Sequence, residues 1–555
     1  MGGFKTISLT FFVATQMLPA GQRAIGNLGG EYALVGDIAG HQQQPDIAIH
    51  AEGGVAVWQN ATSDSGGERI VVQMLSAEYQ GLSSPQILSQ NITGQNELNP
   101  RVALLPSGAS AVTWEAGPRA SRDIFIRFLD NNGRFSTEIL QVNSFVDGIQ
   151  SDAVVAVSAV GEVLVVWSSN GQDGSGEGVY GQYFDSRGAR AGGEFRVNQN
   201  TGKNQACPSV AHIGDGRFVV AWVGESTNGK NSSGAPNLRS NVIGRIVSSS
   251  GPAGNEYRLN GGDIVASEVS VASMTDGGFV VGWTQRDEVN TRNISDIYAR
   301  KFGSNGLPLA DGKKINTFLP GIQQELMLAV LGDEVMINWS SVGQDSGGVG
   351  VRGRMFEGGA EFGVNTQENL DQSTPALAAN GSREFVAVWV NTMRVDHSIL
   401  SAQRYVVHEE GVVPVASDVT AGSVEVVGDV PIQRQTNPSA AVRRVGPAVS
   451  ADIVSVATMQ IAPPAPVAVV ETVAPSVSSA KVVQALNTQT ITPVSESVSQ
   501  TAETSKQTGS SSGGVSVVPS VSSAASIALN SISQYRAGGA ARYNVASTRS
   551  YITPV

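Results

Sequence analysis

The chain has 555 residues and a formal net charge of −12, from 36 Lys plus Arg against 48 Asp plus Glu, with 64 Gly, 23 Pro and one Cys. One Cys (Cys207) excludes a disulfide framework or a Cys-rich zinc site, and the five His show no HExxH pattern or i, i+4 pairing for a His-based metal centre. No GxxxxGK[ST] phosphate loop occurs, and the acidic balance argues against a nucleic-acid partner, because binding a phosphate backbone needs Lys and Arg to release counterions.

Residues 1–20 carry Lys5, the run ISLTFFVATQM and Leu18-Pro19-Ala20. They read as a secretory signal peptide or, failing that, an N-terminal arm. The signal reading places the protein outside the cell or on its surface. No later stretch has 18 uninterrupted apolar residues, so no transmembrane segment is expected.

Seven Trp then recur, each ending a short β-rich run: Trp58, Trp114, Trp167, Trp222, Trp283, Trp339 and Trp389. Their spacings are 56, 53, 55, 61, 56 and 50 residues. A fixed period of this size means a solenoid, a propeller or an array. Upstream of most Trp runs lies a short apolar strand, often opened by Pro, as in Pro45-DIAI and Pro208-SVAHI. Downstream come a polar Gly/Ser/Asp loop, a third strand such as GVYGQYF (178–184), a turn, and a fourth strand such as EFRVN (194–198). Four short strands per unit predict a propeller blade. The Trp runs are apolar on both faces, as strands sandwiched between neighbouring blades should be, so the seven Trp are expected to be structural. The fold class expected is all-β: a seven-bladed β-propeller of four-stranded blades over 29–418, followed by a low-complexity tail. EYALVGD (31–37) reads as a copy of the fourth strand that precedes the first blade, and is favoured over GVVPVASDV (411–419) to close the ring and remove an exposed edge.

The unit from Trp167 onward, SSNGQDGSGEGVYGQYFDSRGARAGGEFRVN, resembles a tandem repeat of secreted or surface-attached bacterial proteins. Its typical form is W-S-x-x-Q-D-G-S-G-x-G-V-Y-G-Q-x-F-D followed by E-F-x-V-N. The unit from Trp339 is a fair match and the others are loose. The resemblance implies a propeller, loosely integrin-like, in an extracellular setting, and it implies no catalytic residues.

Loops joining strands two to three, and strand four to the next blade, share one face. Gln172, Asp173, Ser175, Asn198, Gln205, Gln344, Asp345, Asn365 and Gln372 make it polar and suited to hydrogen-bond a glycan or protein. Asp173, Ser175 and Glu177 alternate like calcium ligands, although the same residues also suit a capped hairpin turn. Calcium is therefore the one cofactor considered. Arg127, Arg245, Arg300 and Arg354, on third strands, read as snorkelling outward rather than as an arginine cluster for a carboxylate. The long stretch 227–240 reads as a surface loop, and Cys207 as a small buried filler.

Residues 419–555 are rich in Val, Ser, Ala and Pro. They read as disordered, or as ordered only on docking a partner or a neighbouring subunit. The expected function is a non-enzymatic extracellular binding or adhesion protein whose partner is a protein or glycan at the cell surface. The alternatives are a structural subunit of a surface assembly (envelope layer, appendage or virion) and a glycan-cleaving propeller enzyme. A close pair of buried carboxylates at the central axis would mark the last.

Overall fold

The computed structural model describes residues 23–409, apart from 36–37, 63–66, 90–95, 231–232, 290–291, 383 and 395–396. The expected signal segment 1–20, the competing closing strand 411–419 and the tail 419–555 lie outside the described residues. Among those described there are strands and turns and no helix, hence none long and apolar enough to cross a membrane.

After β1 (Arg23–Ala33) the strands run in antiparallel meanders of four. The first is β2 (His41–His50), β3 (Gly53–Thr62), β4 (Gly67–Leu75) and β5 (Gln86–Ile87). The second is β6 (Glu97–Leu104), β7 (Ser110–Ala116), β8 (Asp123–Leu129) and β9 (Leu140–Gln141). β10 (Gln150–Val157), β11 (Val163–Asn170), β12 (Glu177–Phe184) and β13 (Arg190–Arg196) follow. Next come β14 (Gln205–His212), β15 (Arg217–Lys230), β16 (Pro236–Ser248) and β17 (Gly251–Arg258). Then come β18 (Ala266–Ser273), β19 (Phe279–Arg286), β20 (Asn293–Phe302) and β21 (Lys313–Lys314), and after them β22 (Gly321–Leu331), β23 (Glu334–Val342), β24 (Val349–Met355) and β25 (Phe362–Gly363). The last meander has three consecutive strands, β26 (Asp371–Ala379), β27 (Glu384–Arg394) and β28 (His397–Glu409). Its fourth strand is β1, paired antiparallel with β28 from Arg23↔Glu409 to Ala33↔Ser401. The N-terminal strand therefore docks on the last meander as expected, but over 23–33 rather than 31–37. A bulge between Leu28 and Tyr32 holds Gly29 at φ +80°, and a Gly-rich run of this kind does not read as strand. Each meander's first strand touches the first strands of its neighbours, and β26 touches β2. This is a β-propeller.

Local sequence explains the blade. Opposite the fourth strand, the third strand carries Gly: a Cβ at Gly181, Gly244 or Gly353 would stand 2.9, 2.8 or 2.9 Å from Phe195, Leu259 or Phe362. That is closer than carbon atoms pack, so the large residue of the E-F-x-V-N strand needs a Gly facing it. The second strands are buried along both faces; all of β7 is inaccessible.

Each Trp packs against the meander before its own. Trp114 lies among Val55, Val57, Ile70 and Val72, and Trp222 among Leu164, Val166 and Val179. Trp58, in the first meander, lies against Val386, Val388, Leu400 and Ala402 of the last. Polar clasps follow the same direction. Arg127 Nη1 donates to Leu88 O (2.8 Å), Arg245 Nη1 to Val197 O (2.8 Å), Arg300 Nη1 to Leu259 O (3.2 Å) and Arg354 Nη1 to Ile315 O (2.7 Å). These arginines thus reach sideways to the preceding blade instead of snorkelling to water, because the fourth strand ends there with an unpaired carbonyl. Carboxylates repeat the pattern: Glu194 accepts from Ser144 N–H (2.6 Å), Glu361 from Thr317 N–H (2.6 Å) and Glu31 from Thr366 N–H (2.9 Å). Glu31 belongs to β1, so the closing strand carries the same latch as its internal counterparts.

Trp222→Ala is expected to destabilise the protein by about 3–5 kcal/mol, as loss of a buried aromatic does, read from a urea titration. Glu31→Ala is expected to cost about 1 kcal/mol, the typical worth of such hydrogen bonds, and to speed amide exchange selectively in β1 and β28. Unchanged exchange in those two strands would show that the latch contributes nothing to closure.

Candidate functional site

The residues expected to form a polar binding face do lie at the second-to-third and fourth-to-first connections, but most of their polar atoms are bonded within the protein; Asp345 Oδ2 and Gln372 Nε2 are buried with no hydrogen-bond partner among the described residues. Gln172 accepts from Ser169 Oγ (2.7 Å) and donates to Glu194 (2.5 Å); Gln344 accepts from Ser341 Oγ (2.8 Å) and donates to Glu361 (2.7 Å). Asn198 and Asn365 each take a third-strand N–H, from Val179 (2.9 Å) and Val351 (2.7 Å), and each donates to the carbonyl two residues on. Gln205 accepts the indole N–H of Trp222 (3.0 Å), as Gln150 does for Trp167 (3.2 Å) and Gln323 for Trp339 (3.0 Å). Gln372 accepts from Asn365 (3.1 Å). Asp173 accepts Ser175 N–H (3.1 Å) and an Asn198 amide hydrogen (3.3 Å), and Asp345 accepts Gly348 N–H (3.0 Å). Asp173 and Ser175 therefore form a turn. Glu177 is not gathered with them, and among the described residues no group of three or more His, Cys, Asp or Glu is arranged to hold a metal ion. The stretch 227–240 is not a plain loop: β15 and β16 stay paired to Lys230↔Pro236. Cys207 is half-buried at a backbone bulge, not a core filler.

That bulge recurs at the axis. Each first strand breaks register near its start, and in all but β18 the residue there is left-handed without being Gly: Gln44 (φ 49°), Asn99 (53°), Asp152 (54°), Cys207 (54°), Glu325 (58°) and Thr374 (50°). Such backbone costs about 1–3 kcal/mol per residue and persists only where its surroundings fix it. Here it turns an N–H toward the preceding blade. Asp152 N–H donates to Glu115 Oε1 (2.8 Å), Cys207 N–H to Ser168 Oγ (3.2 Å), Glu325 N–H to Glu268 Oε2 (2.6 Å) and Thr374 N–H to Glu325 Oε2 (2.8 Å). Glu115 and Ser168 directly follow a Trp. An inner belt of side chains thus links blade to blade.

Across the second to fourth meanders the belt is acidic. Glu115 is fully buried; it takes Arg122 Nη1 (3.1 Å) and Asn99 Nδ2 (2.9 Å) besides Asp152 N–H. Burial pushes its carboxyl up to about 7, with Arg122 pulling down and Asp152 pushing further up. Glu177, at the start of β12, is 5% exposed. Burial, then the carboxylates of Asp152 and Glu225, push it up to about 8. Asp152 and Glu225 are half-buried, and Glu225 is tied to Asn204 (3.0 Å), whose carbonyl oxygen accepts Glu177 N–H (3.2 Å). Glu115, Asp152, Glu177 and Glu225 thus form a row of carboxyl groups from three neighbouring blades, with Glu115 and Glu177 both pushed up by burial. Glycosidic bond cleavage works through a pair of neighbouring carboxyl groups. Sequence reasoning missed Glu115, Asp152 and Glu225. The available signal was an acid placed directly after, or three residues after, a Trp at the end of an apolar strand.

No protein-family model matches the chain, and no curated protein matches it. Several solved structures share the fold. One is an ulvan lyase, a polysaccharide lyase, at 8% identity and TM-score 0.45, covering 67% of this chain and 95% of that one. Another is an α-L-arabinofuranosidase from Fusarium graminearum, at 12% identity and TM-score 0.39, covering 59% and 98%. A third is the β-propeller domain of the Trilobed protease from Pyrococcus furiosus, at 10% identity and TM-score 0.39, covering 66% and 94%. At such identities the likeness concerns the fold alone. The expectation of a non-enzymatic adhesion protein is nevertheless corrected. The solved structures the chain is similar to include a polysaccharide lyase and a glycosidase, and the buried carboxyl groups of Glu115 and Glu177 each feel the Asp152 carboxylate.

Proposed function

We propose that the chain is a seven-bladed β-propeller that hydrolyses glycosidic bonds in an extracellular polysaccharide. The observation that carries this reading is Glu177: a buried carboxyl raised to about 8 by burial and by the neighbouring carboxylates of Asp152 and Glu225. In the proposed reaction Glu177 gives its proton to the glycosidic oxygen as the bond to the anomeric carbon breaks. Asp152, fixed by its bulge, takes a proton from the water whose oxygen bonds that carbon. Arg122 and Asn99 hold Glu115, and Glu115 in turn holds the Asp152 backbone, so Glu115 is a positioning residue. The blade count is supported by seven Trp-bearing meanders with β1 completing the last. The extracellular setting is supported by the pattern of residues 1–20.

The test is release of reducing ends from a panel of plant and algal polysaccharides. Glu177→Gln is expected to lower turnover at least about a hundredfold, in the range of a lost general acid, and wild-type activity to fall as pH rises through about 8. Cleavage that survives Glu177→Gln, or products bearing an unsaturated uronyl end, would overturn the hydrolytic assignment. The same substitution has a second expected effect. The folded pKa of Glu177 lies above its ordinary 4.5, so the folded state keeps a proton that the unfolded state releases, and stability falls as pH rises from about 4.5 to about 8. Glu177→Gln removes that penalty. Its melting temperature should match wild type near pH 4 and exceed it by a few degrees at pH 9, by calorimetry.

A further inference from the structure

The fifth meander and the connection that leads into it hold a cleft of about 370 Å³. It lies beside the carboxylate row, because β15 carries both Glu225 of that row and Asn228, which donates to Asp263 at the cleft. Four acids line it, and each is committed. Asp263 pairs with Arg258 (2.8 Å) and Glu288 with Arg239 (2.6 Å). Asp287 accepts Val289 N–H (2.9 Å) and an Asn293 amide hydrogen (3.1 Å). Asp296, 2% exposed, takes Lys314 Nζ (2.6 Å), Asn293 Nδ2 (2.9 Å) and Asn316 Nδ2 (2.8 Å). The cleft's other cation, Arg286, is half-buried at the end of β19, and its guanidinium meets no acid and no carbonyl among the described residues. Beside these charges, the Tyr298 ring lies stacked on Trp283 at 6.0 Å and 13°, with Lys314 Nζ 5.9 Å from its centroid, and gives the cleft an aromatic surface.

An unpaired, partly desolvated guanidinium is a fork of donors matched to a planar or tetrahedral oxyanion. We infer that this cleft binds an acidic sugar unit, its carboxylate or sulfate on Arg286 and its ring face on Tyr298. The substrate is then an anionic polysaccharide, and in that respect the inference rests on the reading of the chain as glycan-cleaving. The protein's net charge of −12 repels polyanions at long range, so retention of one reports a local site.

The test is calorimetric titration of the full chain with trigalacturonate (carboxylate only), a sulfated carrageenan trisaccharide (sulfate only) and maltotriose (neutral). Binding of at least one anionic trisaccharide and none of maltotriose is expected, and which anion binds names the group recognised. Arg286→Gln should weaken that binding by roughly tenfold or more, the worth of a charge-assisted hydrogen bond, and Arg286→Lys should recover part of it. If neither anionic sugar binds, if maltotriose binds as tightly, or if Arg286→Gln leaves the affinity unchanged, the inference is overturned. The titration is repeated with Glu177→Gln. Because binding is read without turnover, loss of the hydrolytic reading leaves this result standing, and failure here leaves hydrolysis of neutral glycans intact.

Discussion

A sheet that is apolar on both faces has no solution by itself. β7, β11 and the start of β15 are buried on either side, and a single blade offers cover for neither. At roughly 25 cal/mol per Å² of apolar surface, the gain comes only when a second blade covers one face and a third the other. Every blade therefore needs two neighbours, and the arrangement is satisfied when first meets last. The indoles do most of this work. Each crosses to the blade before it, and Trp58 crosses to the blade that comes last in the chain.

This demand for neighbours governs the polar residues as well. Edges of adjacent blades meet with unpaired carbonyls and N–H groups, and buried polar groups must be hydrogen-bonded. The repeated Arg, Glu, Asn and Gln meet that need. What recurs in every blade is therefore scaffolding. The chemistry lies where the repeat departs from itself. After Trp the chain reads Gln59, Glu115, Ser168, Val223, Thr284, Ser340 and Val390. At the bulge it reads Gln44, Asn99, Asp152, Cys207, Glu325 and Thr374. Two acids, Glu115 and Asp152, fall together at the second and third blades.

That division also sets what could be read from the sequence. Trp spacing, Pro-opened strands and the E-F-x-V-N segments are periodic, so the fold was legible from one chain. The same periodicity misled the search for a site: Gln172, Asn198 and Gln344 stood out because they repeat, and they repeat because they brace the blades. Asp152 and Glu177 are 25 residues apart in sequence, and the meander β10–β11–β12 of a single blade brings them into one sheet. Glu177 was noticed for its spacing from Asp173, whereas its surroundings come from the neighbouring blade. The closing strand was legible in kind and displaced in position, since a bulge at Gly29 ends the resemblance to ordinary strand sequence.

Because β1 pairs with β28, a strand at the start of the propeller has its partner among the last residues of the propeller to emerge from the ribosome. Contacts across more than three hundred residues are slow to form, since loop closure must precede any gain from them. Until β28 is synthesised, the apolar face around Trp58 has no cover and β1 is a free edge open to other chains. Synthesis thus creates an interval of vulnerability whose length is set by translation speed. A chain crossing a membrane unfolded and assembling on the far side would present both ends together and avoid it.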